Sequence, residues 1–190
     1  MVLVEVFQVN CPGCFLYGLP EAIEIHDDHR SDGLTVLGIA TAFEDYDMNN
    51  LENLQKLVTT GEVIGETFNS LRRYGRLKNG NTLPYRIPFP VGMDVLSRGK
   101  STYSDSEVND FIEASVPGYR HYSEKNRSTI RDRARHVLDS KVFSARTFEE
   151  YKLRGTPSTI LVDGKGILRH VSFGANDFLK GIVESLLNER

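Results

Sequence analysis

Cys11 and Cys14 are the only cysteines in this 190-residue chain, and they bracket Pro12-Gly13 directly after the apolar run Val2-Leu3-Val4-Glu5-Val6-Phe7-Gln8-Val9. The run reads as a buried strand and the pair as the start of a helix. A helix that begins at Cys11 turns its unpaired N–H groups and its positive dipole end toward the first sulfur, which favours thiolate over thiol. Cys11 is therefore the candidate nucleophile. Cys14, one turn further on, shares its face and can close a short disulfide with it. Pro12 suits the first helical position, where no N–H is needed. Residues of these types at this spacing point to thiol-disulfide exchange.

Two other readings of the cysteines compete. They could be buried, unreactive thiols, since free cysteine is among the most buried residue types. They could also join His26 and His29 in a Cys2His2 zinc site. One continuous helix would separate Cys14 from His26 by about 18 Å at 1.5 Å per residue, too far for one ion. Only a break at Pro20 would bring them together. No metal and no cofactor are expected.

Composition narrows the class. The formal charge of −3 lacks the basic excess of a nucleic-acid binder. No apolar run approaches the roughly 20 residues of a membrane span, and the amino terminus lacks a basic stretch leading into a signal-peptide core. The expectation is a cytoplasmic chain with neither nucleic acid nor membrane as partner. Two cysteines three apart suit a redox pair in a reducing compartment better than a secreted disulfide scaffold.

The elements that must position the pair follow from periodicity. A helix is predicted from Pro12 to about Arg30, carrying Leu16, Leu19, Ile23 and Ile25, with Pro20 imposing a kink or break. Leu34 to Ala40 reads as a central strand covered on both faces. Asn49 or Asn50 can cap a helix from Leu51 that ends at Gly61, and a second short helix is predicted over 66–74. Asn79-Gly80-Asn81 marks a turn, and Ile87 to Asp94 a strand near an edge because of its prolines.

Residues 99–142 are polar and charge-mixed. They read as a helical insertion with one helix capped by Ser104-Asp105-Ser106-Glu107 and another running from Thr129 to Asp139 under a Ser128 cap. A helix over 144–153, a strand over 159–162, a turn at Asp163-Gly164-Lys165-Gly166 and a returning strand over 167–172 come next. A final helix over 176–187 would present Phe178, Leu179, Ile182, Val183, Leu186 and Leu187 on one side. The order β-α-β-α-β-insertion-α-β-β-α gives an α/β fold, with 1–190 as one domain holding 99–142 as an insertion.

A strand leading into Cys-x-x-Cys, followed far downstream by Arg154-Gly155-Thr156-Pro157-Ser158-Thr159-Ile160-Leu161-Val162-Asp163-Gly164-Lys165-Gly166, is a recognisable combination. The chain resembles the thioredoxin-like superfamily, in particular its TlpA/ResA branch, related to the AhpC/TSA group. The resemblance implies a central mixed sheet flanked by helices and a thiol-disulfide oxidoreductase with a redox-active Cys11–Cys14 disulfide. It also implies that Pro157 is cis and faces Cys11, and that the Thr156 backbone offers an edge to a substrate peptide. Pro12, Gly13 and Asn10 flank the same surface. Glu5, six residues before Cys11, matches the buried acid of thioredoxins. It would accept the Cys14 proton, with its pKa displaced upward by burial. The implied partners are a disulfide- or thiol-bearing protein substrate and a regenerating dithiol reductase.

Departures accompany the resemblance. Asn10 stands where a tryptophan usually precedes the first cysteine, and the chain has no Trp. One residue more than usual separates Cys14 from Pro20, which suggests a bulge. Strand alternation alone leaves open whether Glu5 faces core or solvent. The cluster Arg131, Arg133, Arg135 and His136 reads as a solvated face diluted by Asp132 and Asp139 rather than a docking surface. Two alternative functions are a peroxiredoxin-like thiol peroxidase and a non-enzymatic redox-sensing module. The first lacks the threonine expected three residues before the reactive cysteine, since Gln8 precedes Cys11 there and Cys11 precedes Cys14.

Overall fold

The computed structural model describes residues 1–100, 102–139 and 142–189. Ser101, Ser140 and Lys141, which belong to the expected insertion, and Arg190 lie outside the described residues. The chain forms two compact units, one of Met1–Leu96 with Ala145–Arg190 and the other of Ser97–Ser144.

The first unit is built on a five-stranded mixed sheet. Its strands are β1 (Val2–Phe7), β2 (Thr35–Ala40), β3 (Val91–Met93), β6 (Ser158–Val162) and β7 (Leu168–Phe173), in the order β3-β2-β1-β6-β7. β1 and β2 run parallel, as do β2 and β3, whereas β6 pairs antiparallel with β1 and β7 with β6. The strand that feeds the cysteines is therefore central. β3 is an edge strand of three residues, shorter than the predicted strand over 87–94. Pro88 and Pro90 carry no N–H for a ladder, so pairing starts only at Val91.

Period-2 alternation sends Leu3 and Phe7 of β1, Val36 and Ala40 of β2 and Leu161 of β6 into the main core. There they meet Leu19, Ala22 and Ile25 of helix α1 (Leu19–His29), and Leu179 and Val183 of helix α7 (Leu179–Asn188). Leu54 and Leu57 of helix α2 (Leu51–Thr60) and Leu71 of helix α3 (Gly65–Arg73) complete it. Each fully buried Leu or Phe contributes about 1.5–3 kcal/mol relative to exposure. Val6, Ile160 and Leu153 form a smaller cluster. Phe178, expected on the packed side of the last helix, is instead 78% exposed at its N-cap.

Local signals decide most boundaries. Asn50, not Asn49, caps α2 by accepting from Asn53 N at 3.0 Å, and Gly61 ends the helix at φ +78°. The helix expected over 144–153 is a strand, β5 (Phe143–Ala145), followed by the short α6 (Arg146–Glu150). Buried Asp94 fixes the start of α6 by accepting from the N–H groups of Thr147 and Phe148 at 2.9 and 3.3 Å.

In the second unit, the Ser104–Glu107 capping box starts α4 (Asp105–Ser115) as its residues predict. Helix α5 (Glu124–Asp139) begins a turn earlier than expected. Ser123, rather than Ser128, takes the capping position, with its Oγ accepting from Asn126 N and its carbonyl from Arg127 N. Val108 and Ile112 of α4 pack with Ala134 and Leu138 of α5 and with Tyr119. Arg131 pairs with Glu124, and Arg135 with Asp105, as surface ion pairs. Strands β4 (Leu96–Arg98) and β5 form a two-stranded ribbon through which the chain leaves the first unit and returns.

Candidate active site

β1 ends at Phe7, and after three intervening residues Cys11 stands at the start of the helix that runs through Pro12 and Gly13. The Cys14 N–H points back at Cys11, 3.0 Å from its carbonyl oxygen and 3.3 Å from its Sγ. This is the helix-start geometry that stabilises negative charge on sulfur. Cys11 and Cys14 are joined in a disulfide, their Cα atoms 5.4 Å apart. Cys11 is partly exposed and Cys14 fully buried, so only the first sulfur can be reached from outside.

Opposite the disulfide lies the turn ahead of β6. The Thr156–Pro157 peptide is cis, and the Thr156 carbonyl oxygen lies 3.5 Å from Cys11 Sγ. The turn is pinned by Ser158 Oγ donating to Gly155 O at 2.8 Å and by Gly174 N donating to Pro157 O at 2.8 Å. Phe173 lies over Gly155 yet is 55% exposed, which leaves an aromatic ring at the rim of the site.

Glu5 lies against Gly18, at the end of the turn that starts at Cys14. As a central residue of β1, opposite Thr159 of β6 and Gly38 of β2, it is 1% exposed. Thr159 Oγ1 donates to its Oε2 at 3.1 Å, and Oε1 has no hydrogen-bond partner among the described residues. Burial dominates its titration and lifts it to about 8, with the hydroxyl of Thr159 opposing and the charge of Glu21 adding to the rise.

Two solved structures align with the whole chain. One is a thiol-disulfide isomerase from Corynebacterium glutamicum, 28% identical, matched over 100% of this chain and 81% of that one with a TM-score of 0.54. The other is a thioredoxin-like superfamily protein, 25% identical, matched over 100% of this chain and 80% of that one with a TM-score of 0.55. The fold is thioredoxin-like. No family model and no curated protein matches the chain. Together with the disulfide at a helix start, the thiol-disulfide isomerase likeness supports redox chemistry at Cys11–Cys14.

Within this thioredoxin-like frame, the irregularity expected near Pro20 is a π turn over Cys14–Gly18 that leads directly into α1. The extra residue is absorbed there. The turn brings Gly18 against both Glu5 and Pro157. A Cβ at position 18 would fall 2.6 Å from Pro157 Cβ and inside van der Waals contact with Glu5 Oε1. Its φ of −59° suits any residue, so space alone selects glycine. Gly18→Ala gains helix propensity of about 1 kcal/mol but overpacks a site whose neighbours are a strand carboxyl and a proline ring, at a cost of about 1–3 kcal/mol. The expected result is a lower thermal midpoint together with slowed disulfide turnover, read by a melt and by assay of the same preparation.

Asn10 borders the site, but its side chain is spent inward. Nδ2 donates to Asp45 at 2.9 Å, Oδ1 accepts from the Glu66 N–H of α3 at 2.7 Å, and the backbone N–H donates to Asn49 at 2.8 Å. Asn10 thus caps α3 from outside, since Ile64 at the N-cap has no side chain able to do so. Gln8 is buried, with its Oε1 accepting from Phe43 N and Asn49 Nδ2. His26 packs on the Phe89 ring, and His29 pairs with Asp32.

Several site residues were not legible from sequence. Thr159 required the β1–β6 register and Phe173 the β6–β7 register. Gly18 left a faint signal as an isolated glycine inside a helical pattern.

Proposed function

We propose that the chain is a thiol-disulfide oxidoreductase acting on disulfide- or thiol-bearing protein partners. The observation that carries this reading is the polarity of the pair: Cys11 is reachable, lies at a helix start and meets the carbonyl of the cis Thr156–Pro157 peptide, while Cys14 is fully buried.

In the reductive direction, the Cys11 thiolate attacks one sulfur of a partner disulfide. That S–S bond breaks, its electron pair leaves on the partner's other sulfur, which takes a proton, and Cys11 is left in a mixed disulfide. Cys14 then loses its proton to the Glu5 carboxylate and attacks Cys11 Sγ, releasing the second partner thiolate and closing Cys11–Cys14. A dithiol reductase restores the two thiols. A carboxyl lifted to about 8 is a stronger base than an ordinary carboxylate and so better able to take a thiol proton.

The rim fits a polypeptide. The Thr156 backbone gives an extended segment a hydrogen-bonding edge, Pro12 and Gly13 leave the approach to sulfur low, and Phe173 supplies apolar contact on a chain without tryptophan.

A peroxidase reading finds less support, because the Gln8 amide is committed to Phe43 and Asn49 rather than turned toward a peroxide. The test sets the two substrates side by side. With a regenerating dithiol, the protein is expected to reduce the disulfides of insulin and to leave hydrogen peroxide at the background rate. Peroxide consumption without disulfide turnover, or neither activity, would overturn the assignment. A measured potential near about −270 mV would mark a reductant and one near about −120 mV an oxidant.

A further inference from the structure

The π turn leaves one carbonyl without a helical donor. In this turn, Leu19 N donates to Cys14 O, five residues back. By the same spacing, Phe15 O would accept from residue 20, which is proline and has no N–H. Phe15 is 2% exposed, so water does not take the vacant place readily, and a buried orphan carbonyl costs about 1–3 kcal/mol. The missing donor comes from 70 residues away: Tyr85 Oη donates to Phe15 O at 3.0 Å. Burial of this tyrosine pushes its titration above the ordinary tyrosine range, so the hydroxyl keeps its proton throughout the working pH range.

We infer that Tyr85 is a positioning residue for the resolving step, its hydroxyl standing in for the N–H absent at Pro20 and so holding the π turn that carries Cys14 and seats Gly18 against Glu5. The inference rests on the proposed role of Glu5 as the acceptor of the Cys14 proton. Around Glu5, the hydroxyl of Thr159 on β6 and the carboxylate of Glu21 on α1 are the groups that set its titration besides burial. The turn itself supplies the cover that keeps water away. If Tyr85 loses its hydroxyl, Phe15 O must find water or a different helical donor, the turn loosens, and water reaches Glu5. The acid then titrates closer to the ordinary carboxylate range.

The experiment uses the intact chain with Cys11 in a mixed disulfide with thionitrobenzoate. Attack of the Cys14 thiolate on Cys11 Sγ breaks the bond to the probe and releases thionitrobenzoate, whose absorbance follows the rate against pH. In Tyr85→Phe, the inflection is expected to move down by half a pH unit or more, with amide exchange at Leu19 about tenfold faster. Pro20→Ala restores a backbone N–H at the required place. In that background, removing the Tyr85 hydroxyl is expected to move neither reading by more than about a third as much.

An unmoved inflection in Tyr85→Phe, even with a lower melting point, reduces Tyr85 to an ordinary structural contact and overturns the proposal. Failure of Pro20→Ala to suppress the effect overturns it as well. Glu5→Gln provides the separating control. If that variant keeps the wild-type inflection, the proton-acceptor reading is lost and this inference with it, whereas a failure confined to the Tyr85 variants removes this inference alone.

Discussion

Cys11→Ser is expected to abolish reduction of a protein disulfide, and Cys14→Ser to leave partners covalently attached to Cys11. The two variants differ because the two sulfurs do. Cys11 is partly exposed with the Cys14 N–H 3.3 Å from its sulfur, whereas Cys14 is fully buried. Serine at 11 removes the group that can reach and attack a partner, and Cys14 cannot take its place from the interior. Turnover should fall to the uncatalysed rate of the dithiol. Serine at 14 keeps the first attack and deletes the second, so the mixed disulfide persists until an external thiol resolves it. Insulin turnover measures the first expectation, and non-reducing electrophoresis after mixing with an oxidised protein measures the second. Equal, unimpaired activity in both variants would falsify the proposed cycle.

The second large effect concerns pH. Glu5 ordinarily titrates at 4.5 and is lifted to about 8 in the fold. Between those values the unfolded chain has lost this proton and the folded chain retains it. Folding stability from this group is therefore full below pH 4.5, falls by up to about 1.4 kcal/mol per pH unit as pH rises, and is gone above about 8. Glu21, also raised by burial first, adds a slope of the same sign. Glu5→Gln keeps the size of the side chain and cannot ionise. Denaturant unfolding of oxidised wild type and variant across pH 4.5–8.5 should show a wild-type slope that the variant lacks, with the variant the more stable of the two at the alkaline end. Parallel pH curves would show that Glu5 is not held protonated by the fold.

Much of this architecture was readable in the chain because short-range chemistry encodes it. The β1 run, the Asn50 and Ser104 caps and the turn at Asp163 each depend on residues within a few positions of one another. Errors arose where a distant group decides. Asp94 ends the approach to α6 and starts that helix from fifty residues away, so the apparent helix over 144–153 is a strand and a short turn of helix. Ser123 starts the helix a turn sooner than Ser128 because its Oγ and carbonyl meet the N–H groups of Asn126 and Arg127.

The candidate site shows the same division. Cys11, Cys14, Pro157 and Glu5 were singled out by motif and resemblance; the fold sets the cis peptide beside Cys11 and the buried acid against Gly18. Tyr85 left no trace at all, because its role exists only once an extra residue in one segment and a proline in the same segment have together emptied a hydrogen-bonding position. Asn10, singled out for standing where a tryptophan is usual, turned out to serve α3 and the loop at Asp45.

The ribbon of β4 and β5 has a consequence for how such a chain can change over time. Gly99 N donates to Val142 O at 2.9 Å, so the two ends of the intervening segment run side by side in one ladder. A segment hung on neighbouring points can be trimmed, lengthened or exchanged for another module without altering the register of the strands that present the sulfurs. Lineages can thereby diversify what is appended while the sulfur chemistry is inherited intact.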